Sequence, residues 1–162
     1  MTLQPLSVTQ VDVIGELIDA GRIGAVPSDL IRAGIFLAQA REAIDDLPNL
    51  TRAQNVYNLA YDACHDVGEA LLAAYGYRTA NGPGQHEALG RVLRTILDTP
   101  PGDAAARRFD RLRRARNQQR YDARPVGSAD ADAASAAARD LFAGARARGL
   151  TESGAHAPDG ER

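Results

Sequence analysis

Residues 51–76 read TRAQNVYNLAYDACHDVGEALLAAYG. Tyr57, Tyr61, Cys64, Gly68, Leu71 and Tyr75 recur at steps of three and four, the repeat of a helix that turns one face to a core. Asn49 or Thr51 can cap its start, with Gln54 three residues after Thr51, and Pro48 ends whatever precedes it. Upstream, Pro27, Ser28 and Asp29 open a second helix. Its apolar stripe is expected on Ile31, Ile35 and Ala38, flanked by Leu30 and Leu37, and it runs to Asp46. Before it, Ser7 and Gln10 form a capping box for a short first helix carrying Val11, Ile14, Leu17 and Ile18, which Gly21 stops.

Downstream, Asn81, Gly82, Pro83 and Gly84 form a loop, because they combine residues that tolerate positive φ with one whose φ is fixed. Leu89, Val92, Leu93, Ile96 and Leu97 define a fourth helix that stops at Thr99, Pro100, Pro101 and Gly102. Asp103 is the expected cap of a fifth, running through Phe109 and Leu112 to about Tyr121, before Pro125 and Gly127. Residues 128–148 make an alanine-rich sixth helix with Leu141 and Phe142 as its main apolar contacts and Gly149 as its C′ residue. The reading is all-α, since β-branched residues are too sparse in the C-terminal half to build strands. No internal repeat of helical hairpins marks a solenoid.

A chain of 162 residues, 44% hydrophobic and 25% charged, suits one core. Residues 1–150 read as a single helical-bundle domain and residues 151–162, small and polar, as a mobile tail. The longest apolar stretch, residues 33–38 between Arg32 and Gln39, is far short of a membrane span. The first residues show no basic start, apolar run or cleavage site, so the expected location is cytoplasmic. One cysteine, Cys64, excludes an internal disulfide framework and a cysteine-cluster zinc site. A net charge of −2 argues against a protein that coats nucleic acid through its overall charge.

Charge is nonetheless concentrated. All 19 basic residues are arginine, and eight lie in residues 107–124 with only Asp110 and Asp122 to offset them. At 100° per residue, Phe109, Leu112, Arg116 and Arg120 fall within about 80° of each other on the fifth helix, with Arg113 beside them. A core-facing stripe therefore turns cationic, while Arg107, Arg111 and Arg114 point to solvent. Like charges three and four residues apart repel unless an anion sits between them. That anion is either internal, such as Asp122 or an acid on another helix, or a bound phosphate, which the planar guanidinium matches bidentately.

Arg113-Arg114-Ala115-Arg116-Asn117-Gln118-Gln119-Arg120-Tyr121-Asp122 resembles the signature of the HEPN superfamily (higher eukaryotes and prokaryotes nucleotide-binding domains), in which Arg-Asn is followed after a short gap by His or Tyr. Three further pieces are similar to the family's long helix, following loop and entry to the next helix: Tyr57-Asn58-Leu59-Ala60-Tyr61-Asp62-Ala63-Cys64, then Ala70-Leu71-Leu72-Ala73-Ala74-Tyr75-Gly76-Tyr77-Arg78, then Gly84-Gln85-His86. The match covers about residues 28–145. The resemblance implies a bundle of four to five core helices, here with an additional short N-terminal helix. It also implies a homodimer, encoded in toxin-antitoxin or antiviral defence systems with an antitoxin or nucleotidyltransferase partner. Catalytic members are metal-independent ribonucleases whose motif arginine is followed four to six residues later by histidine. Counted from Arg116, those positions hold Tyr121, Asp122 and Ala123. None of His65, His86 and His156 lies in the motif, and a tyrosine with pKa about 10 is a poor base at neutral pH. Arg116 can still stabilise a phosphorane-like charge.

The expectation is therefore a binding module for RNA, a nucleotide or a partner protein, with ligand-binding residues Arg113, Arg116, Asn117, Arg120 and Tyr121 and without cleavage. One alternative is a ribonuclease toxin using Arg116 with a nonstandard base such as Tyr121; another is a structural subunit whose arginines pair with acids. Asn117 and Tyr121, four apart, share a flank of the fifth helix, and Tyr121 equally reads as a half-buried aromatic whose hydroxyl caps a carbonyl. Asp62, His65, Asp66 and Glu69 share a face of the long helix, but it lies opposite the tyrosine stripe and a second Glu-x-x-His is missing. That face is expected to be solvated rather than metal-binding, and no metal or cofactor is called for. His86 reads as a capping or loop-packing residue, and Arg78 as its companion for a second anion contact.

Overall fold

The computed structural model describes residues 2–152. Six α-helices account for most of them: α1 (Val8–Asp19), α2 (Leu30–Asp46), α3 (Ala53–Tyr75), α4 (Gln85–Ile96), α5 (Asp103–Tyr121) and α6 (Ser128–Ala147). α3 is the axis of the bundle, packing against α2, α4, α5 and α6. It holds that place because Tyr57, Tyr61, Cys64, Val67, Gly68 and Leu71 are all buried along it. Gly68 brings α4 in close: a Cβ there would stand 2.7 Å from Leu89 Cδ1. α6 packs through small residues, with Ala134, Ala137, Ala138 and Ala145 buried beside Leu141 and Phe142. All six helices contribute to one contiguous core.

Several local signals act as expected. The Ser7–Gln10 capping box is complete, with Ser7 N–H donating to Gln10 Oε1 at 2.8 Å and Gln10 N–H to Ser7 Oγ at 3.2 Å. The Asp29 carboxylate accepts from Arg32 N–H at 2.9 Å and caps α2. Gly149, with φ +101°, follows Arg148 at the end of α6. Arg148 is buried there and donates to Tyr75 Oη at 2.7 Å and to the carbonyls of Gln4 and Pro5, which ties the start of the chain to the end of the bundle.

Four expectations need correction. The buried face of α2 is Ala33, Gly34, Leu37 and Ala40, whereas Leu30, Ile31 and Ile35 are exposed. Leu37 and three small residues make up the packed face, so which face meets the neighbouring helices, α3 above all, is not set by the bulkiest apolar side chains. Neither Asn49 nor Thr51 caps α3: Leu47–Asn49 form a 3-10 turn, and Arg52 occupies the cap without a side-chain hydrogen bond. Asp103 is the first residue of α5 rather than its cap, which is Gly102. Finally, two short strands interrupt the helices. β1 (Ile23–Ala25) pairs antiparallel with β2 (Tyr77–Thr79), Ile23 opposite Thr79. Three residues are too few for an alternating pattern to register, and Gly76, with φ +83°, turns the chain out of α3 into β2. From residue 153 on, the expected tail and His156 within it lie outside the described residues.

Candidate functional site

α4 starts at Gln85, after Gly84 with φ +87°, so His86 sits in its first turn beside α3 and opposite the second half of α5. The loop at 82–84, Gln85, His86 and the carboxylate-bearing Glu87 of α4, and Arg113, Arg116, Asn117 and Arg120 of α5 line a polar cavity of about 460 Å³ in which the cations outnumber the one acid. Tyr61 lies beneath it, its ring stacked on Phe109 with centroids 5.6 Å apart.

The three arginines of this cavity differ sharply. Arg113 is neutralised from within its own helix: Nε and Nη2 donate to Asp110 Oδ1 at 3.1 and 2.7 Å. Arg114, on the outer side, takes Asp110 Oδ2 at 2.9 Å. Arg113's hydrogen bonds hold the Asp110 carboxyl below the usual carboxylate range. Arg116 has no such partner. Its guanidinium lies over the Tyr61 ring at 4.4 Å, its side chain is 18% exposed, and its nearest carboxylate is Asp62 Oδ1 at 3.9 Å on a side chain 61% exposed. Arg116 Nε is buried without any hydrogen-bond partner. Arg120 is exposed and has no ion pair among the described residues. A ring face attracts a desolvated cation, and Arg116 also acts on the Tyr61 hydroxyl as a hydrogen-bonding partner, but its Nε–H is left without an acceptor.

His86 Nδ1 lies 2.9 Å from Tyr61 Oη. Burial, with Arg116 and Arg113 nearby, lowers the His86 pKa, and burial likewise raises that of the Tyr61 hydroxyl against the opposing pull of Arg116. Both groups are neutral at pH 7. In the tautomer in which Tyr61 O–H donates to Nδ1 the imidazole carries its proton on Nε2 and is a donor there; in the other, Nδ1–H donates to Tyr61 and Nε2 is an acceptor. His65, its ring centroid 4.9 Å from that of His86, is pushed down to about 4 by burial, then by His86 and Arg116. Cys64 is fully buried and its thiol is pushed up to about 12, which makes it a packing residue.

No family model, curated protein or solved structure matches this chain.

The structure therefore brings together four of the five residues expected to bind, Arg113, Arg116, Asn117 and Arg120, and leaves out the fifth. Tyr121 is 87% exposed at the end of α5, lines no part of this cavity, and its hydroxyl has no hydrogen bond among the described residues. Five residues beyond Arg116, it is turned about 140° from it. The internal counter-anion of Arg113 is Asp110, not Asp122. His86 belongs to the cavity wall, a role that sequence spacing did not reveal because 30 residues separate it from Arg116. The Gly84-Gln85-His86 turn was the available signal.

The acidic face of α3 is also corrected. Asp62 is exposed, but the side chains of His65 and Glu69 are only 25% and 19% exposed. With Asp66 they line a second cavity of about 430 Å³, together with Arg32, Phe36 and Arg78. Arg78 is thus in this cleft and not in the one lined by His86. Gln85 borders both. No described helix is long and apolar enough to cross a membrane.

Proposed function

We propose that this chain is a HEPN-like binding module that holds the phosphate of a nucleotide or RNA in the cleft between α4 and α5, without cleaving it, as part of a toxin-antitoxin or defence-type system. The observation that carries this reading is Arg116: a half-buried side chain whose buried Nε–H has no acceptor and whose nearest carboxylate is at 3.9 Å. A phosphate oxygen in the cavity supplies the missing acceptor, and Arg120, Asn117 and the His86 Nε2–H add donors around it. In the tautomer in which Tyr61 O–H donates to Nδ1, His86 has no lone pair at Nε2 to take a ribose 2′-hydroxyl proton, and that tautomer goes with holding rather than cleaving.

Titration calorimetry with a 5′-phosphorylated oligoribonucleotide at several salt concentrations tests this. Arg116→Ala is expected to weaken binding by about tenfold or more and to flatten the salt dependence, with the far-UV spectrum unchanged. Unchanged affinity in the variant overturns the reading.

One observation favours a second reading, a metal-independent ribonuclease. His86 shares the cavity with Arg116, so an imidazole absent from the sequence motif is present in space. Incubation with RNA decides: cleavage lost in both Arg116→Ala and His86→Ala supports an enzyme, and no cleavage by the parent chain removes that reading. The homodimer and a protein antitoxin partner belong to the same proposal and are checked by mass in solution, alone and with a candidate partner.

A further inference from the structure

The second cleft, between α2, α3 and β2, has a composition unlike the first. Arg32 and Arg78 face it together with the carboxylates of Asp66 and Glu69, yet among the described residues neither arginine makes an ion pair within 4.0 Å, and neither does Asp66. The Glu69 carboxylate has one ionisable neighbour that close, His65 at 3.9 Å. His65, with its pKa near 4, is uncharged at neutral pH. Burial pushes Asp66 up to about 6, with Asp62 and Glu69 adding to it, and burial raises Glu69 as well. Arg32 and Arg78 are exposed and Asp66 and Glu69 half-buried, so the cleft presents guanidinium donors and carboxylate acceptors to a ligand that displaces water from them.

Phe36 forms part of the wall, with the Arg32 guanidinium over its ring at 5.1 Å, a flat surface of the kind on which a base stacks. The cavity, about 430 Å³, is in the range of small-molecule sites. It adjoins the phosphate cleft: Gln85 lines both, and His65 on one side stands with its ring 4.9 Å from His86 on the other. The shared wall sets the two clefts side by side, the arrangement required by a nucleotide with its phosphate in one and its base in the other.

We infer that this cleft is a guanine subsite: Asp66 or Glu69 accepts from the base's N1–H and N2–H, while Arg78 or Arg32 donates to O6 and N7. Guanine is the base that offers paired donors on one edge and paired acceptors on another, which is what a carboxylate and a guanidinium each take bidentately. Adenine and cytosine present a ring-nitrogen acceptor where the carboxylate needs a donor, and uracil offers a single N–H. Two phosphates are a poor fit, because the carboxylates would repel the second.

This inference rests on the phosphate reading of the first cleft, and the two fail separately. Calorimetry on the full chain compares GMP, AMP, CMP and UMP with ribose 5-phosphate and with guanosine and adenosine. GMP is expected to bind about tenfold or more tightly than the other three. Glu69→Gln and Asp66→Asn, with Arg78→Gln as an exposed-site control that spares the fold, should erode that preference while ribose 5-phosphate affinity stays put. Arg116→Ala should weaken all four nucleotides and ribose 5-phosphate alike. Equal affinity for the four nucleotides, matching ribose 5-phosphate, overturns the guanine subsite and leaves the phosphate site standing. Guanosine binding above adenosine with no ribose 5-phosphate binding supports the subsite and overturns the phosphate reading. Absence of binding by every probe overturns both.

Discussion

Along α5, Ala105, Ala106, Phe109 and Leu112 face protein, whereas Arg113, Arg116 and Arg120 on the following turns face a cleft. The two halves share one helix and one periodicity, and they differ in what stands opposite. Phe109 meets Tyr61 and the close-packed Gly90 of α4. Arg116 meets the same Tyr61 two turns further along α5, beside the cleft instead of within the core. Within the second half a further division appears, between an arginine with its own carboxylate and an arginine without one. Asp110 neutralises Arg113 and Arg114 and stops short of Arg116. A cationic row is thus not one site: a single aspartate decides which members are structural and which are open to a ligand.

This contrast can be broken at each end. Phe109→Ala removes the ring that closes the buried half and should cost about 3–5 kcal/mol in urea unfolding, since Tyr61 and the helices around it cannot collapse into the space. A loss below 1 kcal/mol would mean that the two halves are not divided by packing.

Acid probes the open half. His65 titrates near 4 in the folded chain and His86 also titrates below the ordinary 6.5, so as pH falls through 6.5 the unfolded chain takes up protons that the folded chain refuses. Stability contributed by these neutral rings is full above 6.5 and is lost toward 4, by up to about 3 kcal/mol for His65. Asp66, raised to about 6, runs the other way, because it keeps a proton that its unfolded form gives up. Asp66→Asn should therefore steepen the loss of stability between pH 6.5 and 4. Arg116→Ala should raise both histidine titrations in NMR, as one of the cations depressing them is gone. Unmoved titrations would show that burial alone sets them.

Asp110→Asn sharpens the division inside the row. Freed from its carboxylate, Arg113 should strengthen inorganic phosphate binding in the cleft a few-fold, at a stability cost of about 1 kcal/mol or less. The smallest effect is expected at Tyr121. Tyr121→Ala should stay within about 0.5 kcal/mol of the parent and leave phosphate affinity unchanged, since the ring touches neither core nor cleft.

The expectations that succeeded rest on local chemistry. Ser7 with Gln10, Asp29 before α2 and Gly149 after α6 act within one turn of their own backbone, so neighbours in sequence suffice to read them. The face of α2 was misread because Ile31 and Ile35 look like core residues until the partner helix is known. The face of α2 that is buried against its neighbours, α3 above all, is Ala33, Gly34, Leu37 and Ala40. The site shows the same split. Arg113, Arg116, Asn117 and Arg120 are close in sequence and stay together in space, whereas His86, Tyr61 and the Arg32–Arg78 pair come from separate elements.

Helix positions, the breaks at Pro48 and Pro100, and the cationic continuation of the Phe109–Leu112 stripe follow from the order of residues, because 3.6-residue periodicity and backbone restriction are local properties. The Asp110 pairing with Arg113 and Arg114 is local in the same way, whereas which ring and which histidine stand against Arg116, and whether the acids of α3 meet water or a cleft, follow from the packing of α2, α4 and α5 on α3. Those facts depend on distances between side chains far apart in the chain, and on the water that packing removes from around them.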